Sequence, residues 1–193
     1  MAHGFVRSAH GKFTSFDVPV AGTGTGEGTF ALGIAEAGKI AGLYVDAKGV
    51  FHGFLRDDQS NFATFDAPNA GTGAGQGTLA MALNAAGKVS GFYVDASFVL
   101  HGFVRSRDGN ITSFDPVESV ATIANTEGIS RDGAISGYYF DTNGVSHGFE
   151  RDPEGAITLF DVSGAGTSSG QGTVATATNV EGITSGTYTD ANG

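Results

Sequence analysis

Apolar and polar residues alternate in short runs along the whole chain, and turns rich in glycine and aspartate separate the runs. Residues 29–35 (TFALGIA) meet a turn at Glu36-Ala37-Gly38, and residues 39–45 (KIAGLYV) lead into Asp46-Ala47-Lys48-Gly49. Residues 50–56 (VFHGFLR) then reach a polar turn from Asp57 to Ser60, and 61–66 (NFATFD) follow. A period of two places successive side chains on opposite faces, as in a strand. Gly49 falls where the turn needs a left-handed residue. No segment sustains a helical apolar period or begins with a helix cap. The pattern therefore predicts an all-β chain.

The four-strand pattern recurs. His-Gly-Phe begins at His3, His52, His101 and His147, always continues as HGFxR, and is spaced by 49, 49 and 46 residues. Joining the chain ends as DANG-MA-HGF reproduces the length of DAKGVFHGF at 46–54, so the 193 residues are expected to be four whole repeats cut at a repeat boundary. The repeats are 3–51, 52–100, 101–146 and 147–193, forming one repeat domain over 1–193. Four antiparallel strands per unit of roughly 40–50 residues, joined by a longer connection, describe a propeller blade. The sequence thus predicts a β-propeller of four four-stranded blades. Its ring would be closed by pairing the N-terminal strands with the C-terminal ones in one blade. A larger ring shared between chains is the architectural rival.

Composition narrows the function classes. Glycine accounts for 32 of 193 residues, about 17%, against a usual share near 7%. Ten basic and twenty acidic residues give a net charge of −10, which argues against a nucleic-acid partner. There is no cysteine, which excludes disulfides, thiolate metal sites and thiol nucleophiles. No apolar run approaches the roughly 18 residues of a membrane helix, and no secretory leader reads at Met1.

The repeated motifs HGF[VL]R, [FI]xxFD, a Gly/Thr-rich stretch and GK[IV]xGxYVD resemble those of bacterial HAF-type extracellular repeats, over essentially the whole chain. That resemblance implies a secreted or surface β-repeat protein and supplies no activity. Two departures stand out: DPVESVATIAN (115–125) replaces the Gly-rich connection in the third repeat, and Glu150 stands where the sibling repeats carry Val or Leu.

Three repeated sets are candidates for binding. If the turn after Tyr44 closes between Asp46 and Val50, Tyr44 lies opposite His52; the same spacing pairs Tyr93 with His101 and Tyr139 with His147, and ring closure would pair Tyr188 with His3. Strict repetition favours an architectural Tyr–His set, with the turn residues Asp46, Asp95, Asp141 and Asp190 as a third member; a repeated ligand rim is the alternative. The arginines Arg7, Arg56, Arg105 and Arg151 are expected to pair with Asp17, Asp66, Asp115 and Asp161, and otherwise to form an anion or glycan site. The Gly-rich connections 21–29, 70–78 and 165–173 lack the following helix of a phosphate loop, and are expected to be tight crossings near a ring axis. Glu27, Gln76 and Gln171 would line any pocket beside them.

Catalysis would need residues that break the repeat. Glu118 and Glu127, with Glu150 nearby in sequence, are the candidate acid/base groups; drift in one shortened repeat is the simpler account. No metal and no cofactor is expected, since each Asp turn offers one carboxylate. The leading reading is a non-catalytic module that recognises a glycan or a protein surface outside the cell. The rivals are a small hydrolase or lyase working with third-repeat residues, and a purely structural or engineered repeat.

Overall fold

The computed structural model describes residues 1–179 and 181–193, without the side chains of residues 37 and 125–127. Among them the backbone forms sixteen strands. The first two are β1 (Gly4–Arg7) and β2 (Phe13–Phe16). Three four-stranded units follow: β3 (Gly28–Ile34), β4 (Ile40–Val45), β5 (Phe51–Arg56) and β6 (Phe62–Phe65); β7 (Gly77–Leu83), β8 (Val89–Val94), β9 (Leu100–Arg105) and β10 (Ile111–Phe114); β11 (Ala121–Ile129), β12 (Ile135–Phe140), β13 (Ser146–Arg151) and β14 (Ile157–Phe160). The last two strands are β15 (Gly172–Thr178) and β16 (Thr184–Thr189). The chain is all-β, with one 3-10 turn at Glu36–Gly38.

Inside a unit the strands pair antiparallel in chain order, β3 to β4, β4 to β5 and β5 to β6. The hairpins close as their turn residues dictate: Asp46 N–H donates to the Val50 carbonyl at 3.0 Å, Asp95 to Val99 at 2.9 Å and Asp141 to Val145 at 3.0 Å. Gly49 and Gly144 supply the left-handed residue, but in the second unit Phe98 takes it at φ 63°, an uncommon conformation for a bulky side chain.

The expected closed four-bladed ring does not form. The described strands make three open sheets of two, eight and six strands. The ladder of β1 is with β2 alone and that of β16 with β15 alone. The units instead follow one another in a row, and at two seams the first strand of one unit meets the third strand of the preceding unit in parallel, Phe51 beside Gly77 and Ser146 beside Gly172; Ala2 beside Gly28 makes an isolated bridge of the same kind. The Gly-rich connections run along this seam and are not axial crossings: Gly71 N–H donates to the Val94 carbonyl at 2.8 Å and Gly75 N–H to the Gly49 carbonyl at 2.9 Å.

The seam depends on glycine. A Cβ on Gly77 would stand 2.0 Å from the Phe51 carbonyl oxygen, and one on Gly172 2.0 Å from that of Ser146. In the third unit the residue in this register is Ala121, opposite Phe140 as Gly77 is opposite Val94. No ladder joins β11 to β9 among the described residues, so the eight-stranded sheet ends with the second unit, although β11 packs against β7, β8 and β9. The departure of 115–125 from the Gly-rich pattern falls at this boundary.

The cores lie between units. Phe54, Phe103 and Phe149 are fully buried, and each meets the fourth-strand ring of the preceding unit edge-on: Phe16 at 6.4 Å, Phe65 at 6.2 Å and Phe114 at 5.8 Å between centroids. The glycine of HGF has a packing cause. A Cβ on Gly53 would stand 2.7 Å from the Phe65 ring, which covers that strand. Buried threonines tie the connections down: Thr29, Thr78 and Thr173 accept from the amides of Val18, Ala67 and Val162 at 2.9–3.0 Å.

Candidate functional site

The hairpin register brings the Tyr–His set together as the spacing predicts. Tyr44 lies opposite His52, Tyr93 opposite His101 and Tyr139 opposite His147. The rings stack, with centroids 4.8, 5.0 and 5.1 Å apart. The fourth pair does not form within the chain, since Tyr188 is on β16 and His3 stands just before β1, in different sheets.

Each histidine is also held by two carboxylates. Nδ1 of His52 is 2.9 Å from Asp66, of His101 2.7 Å from Asp115, and of His147 2.9 Å from Asp161. Nε2 faces the turn carboxylates Asp46, Asp95 and Asp141 at 3.6, 3.5 and 3.8 Å. His3 keeps its Asp17 contact at 2.9 Å. Asp17, Asp66, Asp115 and Asp161 are the acids expected to hold the arginines, and they hold the histidines instead. The cause is register. With Gly53 opposite Phe65 and Arg56 opposite Phe62, the next pair outward is His52 with Asp66, while Arg56 sits at the far end of the hairpin.

The turn carboxylates are tuned by their amides. Burial pushes Asp46 up, but amide donation from Val50 and Lys48 and the His52 ring outweigh it and leave the carboxyl below its ordinary 3.8. The Val99 amide leads in lowering Asp95, and the Val145 amide in lowering Asp141. A carboxylate whose folded value lies below its unfolded one stabilises the fold above the unfolded value, and that stabilisation is lost as pH falls through the folded value. Melting temperature is therefore expected to drop on acidification below about pH 4. Thermal melts by circular dichroism between neutral pH and about pH 3 check this; a midpoint unchanged across that interval would show that these turns contribute nothing.

The arginines line grooves between units. Arg56, Arg105 and Arg151 lie over the rings of Phe16, Phe65 and Phe114 at 4.8, 4.9 and 5.2 Å. Among the described residues none of them makes a salt bridge. Arg56 donates to Ser60 Oγ at 2.6 Å, and Arg105 and Arg151 reach only the carbonyls of Ser106 and Asp152. Their Nε atoms are buried without a hydrogen-bond partner, and desolvation lowers the Arg151 guanidinium below its ordinary value. Arg7, at the open end, rests over Phe13 at 5.9 Å.

The groove between the first two complete units encloses about 230 Å3, and Lys39, Arg56, Arg105 and Arg107 line it together with one carboxylate, Asp57. Asp57 is itself occupied by the side chain and amide of Asn61. This clustering is missed by a reading of single repeats, because Lys39 and Arg107 lie outside the HGF motif. It was findable from the strand ends: Lys39 precedes β4 and Arg107 follows β9.

The other candidates do not assemble. Glu150 lies opposite Ser136 near one end of β12 and accepts from the Thr184 hydroxyl. Glu118 lies before β11, and Val120, next to that strand's start, donates its N–H to the Phe140 carbonyl at the other end of β12. Four residues of strand, about 13 Å, separate those ends. The Glu127 side chain lies outside the described residues. Glu27, Gln76 and Gln171 turn back onto their own connections, accepting from Gly24, Gly73 and Ser168. Among the described residues no three His, Asp or Glu side chains are grouped to hold a metal. Compared with known protein families, with curated proteins and with solved structures, the chain matches none, and the HAF-type resemblance rests on its motifs alone.

Proposed function

We propose that the chain is a non-catalytic binding module acting outside the cell, and that its inter-unit groove takes an acidic ligand, a carboxylated or sulfated glycan. One observation carries this reading: four cations, Lys39, Arg56, Arg105 and Arg107, converge on one groove against a single occupied carboxylate, in a chain whose net charge is −10. Local positive charge against a global negative one is selective, since it attracts an anion only at the groove. Guanidinium groups suit planar carboxylate and sulfate, and the Arg105 guanidinium lies over the Phe65 ring at 4.9 Å. The extracellular assignment rests on the repeat resemblance.

Calorimetric titration with a hexameric polygalacturonate, against a neutral hexasaccharide, tests it. The acidic oligomer is expected to bind and the neutral one not. Arg105→Gln is expected to weaken binding by about ten- to a hundredfold, the worth of one charged hydrogen bond, and added salt to weaken it further. Equal affinity for the two sugars, or affinity unchanged by Arg105→Gln, would reject the groove as the site.

A further inference from the structure

The two ends of the row are complementary halves of one unit. β1 and β2 are a third and fourth strand without a first and second, and β15 and β16 are the reverse. The equivalent internal pairing shows what each end lacks. Tyr44, Tyr93 and Tyr139 are at most 6% exposed beneath their histidines, whereas Tyr188 is 51% exposed. Phe54, Phe103 and Phe149 are 0% exposed, and their counterpart Phe5 is 61% exposed.

The empty seat is already shaped. Phe54 packs among Phe16, Val18, Ile40 and Tyr44, with its ring against Gly42. At the other end of the molecule Phe160, Val162, Thr184, Gly186 and Tyr188 occupy the same five positions of the repeat, and they line an open cavity of about 100 Å3. The three atoms nearest a Cβ on Gly186 all belong to the backbone of its own hairpin partner, while at Gly42, Gly91 and Gly137 the phenylalanine of the next strand is among them.

We infer that two copies of this chain associate head to tail, with β1 of one copy pairing antiparallel along the free edge of β16 of the other. The internal register, Tyr44 with His52, Gly42 with Phe54 and Ile40 with Arg56, transfers directly. Tyr188 stacks on His3, Phe5 enters the cavity over Gly186, and Arg7 comes to Thr184 and lies over Phe160. Asp190 takes the place of Asp46 beside the imidazole, and the partner's own Asp17 already holds the other nitrogen. A second copy is the occupant because the edge carries side-chain seats as well as backbone groups. An arbitrary strand would satisfy the backbone groups alone, whereas this chain supplies the His, Phe and Arg that fit. The contact is heterologous, using different surfaces on the two copies.

Light scattering behind size exclusion is expected to give a mass of at least twice 19.5 kDa, rising with loading. Phe5→Glu is expected to return it to that of a single chain while leaving circular dichroism unchanged, because Phe5 is exposed in the single chain. The chain has no cysteine, so a second test is clean. Ser185→Cys and Val6→Cys, which the register places opposite each other as Ala41 is opposite Leu55, are made in separate chains, mixed and oxidised. A disulfide-linked pair is expected from the mixture and not from either variant alone. A single-chain mass at every concentration with no linked pair would overturn the inference. So would a double variant that forms the bond only within one chain.

Discussion

Phe103→Ala is expected to lower the free energy of unfolding by about 3–5 kcal/mol, the usual loss for a large buried aromatic. That is a large share of the roughly 5–15 kcal/mol available to a domain. Phe103 is fully buried. It anchors the cluster of Ala41, Ala80, Leu83, Val89 and Tyr93 and meets Phe65 of the preceding unit edge-on. Truncation empties a seam between two units of the eight-stranded sheet, and hydrogen-bonded units close such a cavity poorly. The same change at the equivalent position of the repeat, Phe5→Ala, is expected to cost the single chain under about 0.5 kcal/mol, as at an ordinary surface site. Urea unfolding followed by circular dichroism, at a concentration where the chain is monomeric, measures both. Equal losses would mean that burial between units is not what holds the row together.

Local structure was legible in the sequence because its causes are local. The strand expected at 39–45 is β4, that at 50–56 is β5, and that at 61–66 contains β6. Alternation fixes the faces, and the Asp turns fix the register. The stacking of Tyr44 on His52 followed from spacing alone, once the turn was taken to close on Val50. Applying the same register arithmetic across the next hairpin would have placed Asp66 beside His52 and freed Arg56. The ion pairs expected for the arginines instead relied on charge complementarity, which register overrules.

The arrangement of units was not legible, because ring closure depends on the angle between successive sheets. That angle depends on packing between units, on the Phe54, Phe103 and Phe149 rings and on the approach of a glycine to the carbonyl of the preceding unit's third strand. Alternation carries no information about it. The sequence did mark the exception, since the third repeat departs from the Gly-rich pattern where the eight-stranded sheet ends. The basic groove was half legible. Arg56 and Arg105 stood out by repetition, while Lys39 and Arg107 become functional candidates only when two units are set side by side.

The seam contact gives the other large effect. Gly77 sits at φ +119°, with its would-be Cβ 2.0 Å from the Phe51 carbonyl oxygen. Gly77→Ala therefore adds backbone strain of about 1–3 kcal/mol to a collision with main chain that no rotamer can relieve. The collision costs another 1–3 kcal/mol or so, as overpacking does. The expected loss is about 3 kcal/mol, with the bond from the Phe51 amide to the Gln76 carbonyl, 2.8 Å long, opened. Gly26→Ala separates the two causes. It has a similarly left-handed φ of +82° but nothing within 4 Å of the added carbon, so it is expected to cost only about 1 kcal/mol. Hydrogen exchange reads the seam directly: Gly77→Ala is expected to deprotect the Phe51 amide while Gly26→Ala leaves it slow. If Gly26→Ala were as damaging as Gly77→Ala, strain alone would account for both. The row would then not depend on close approach at the seam.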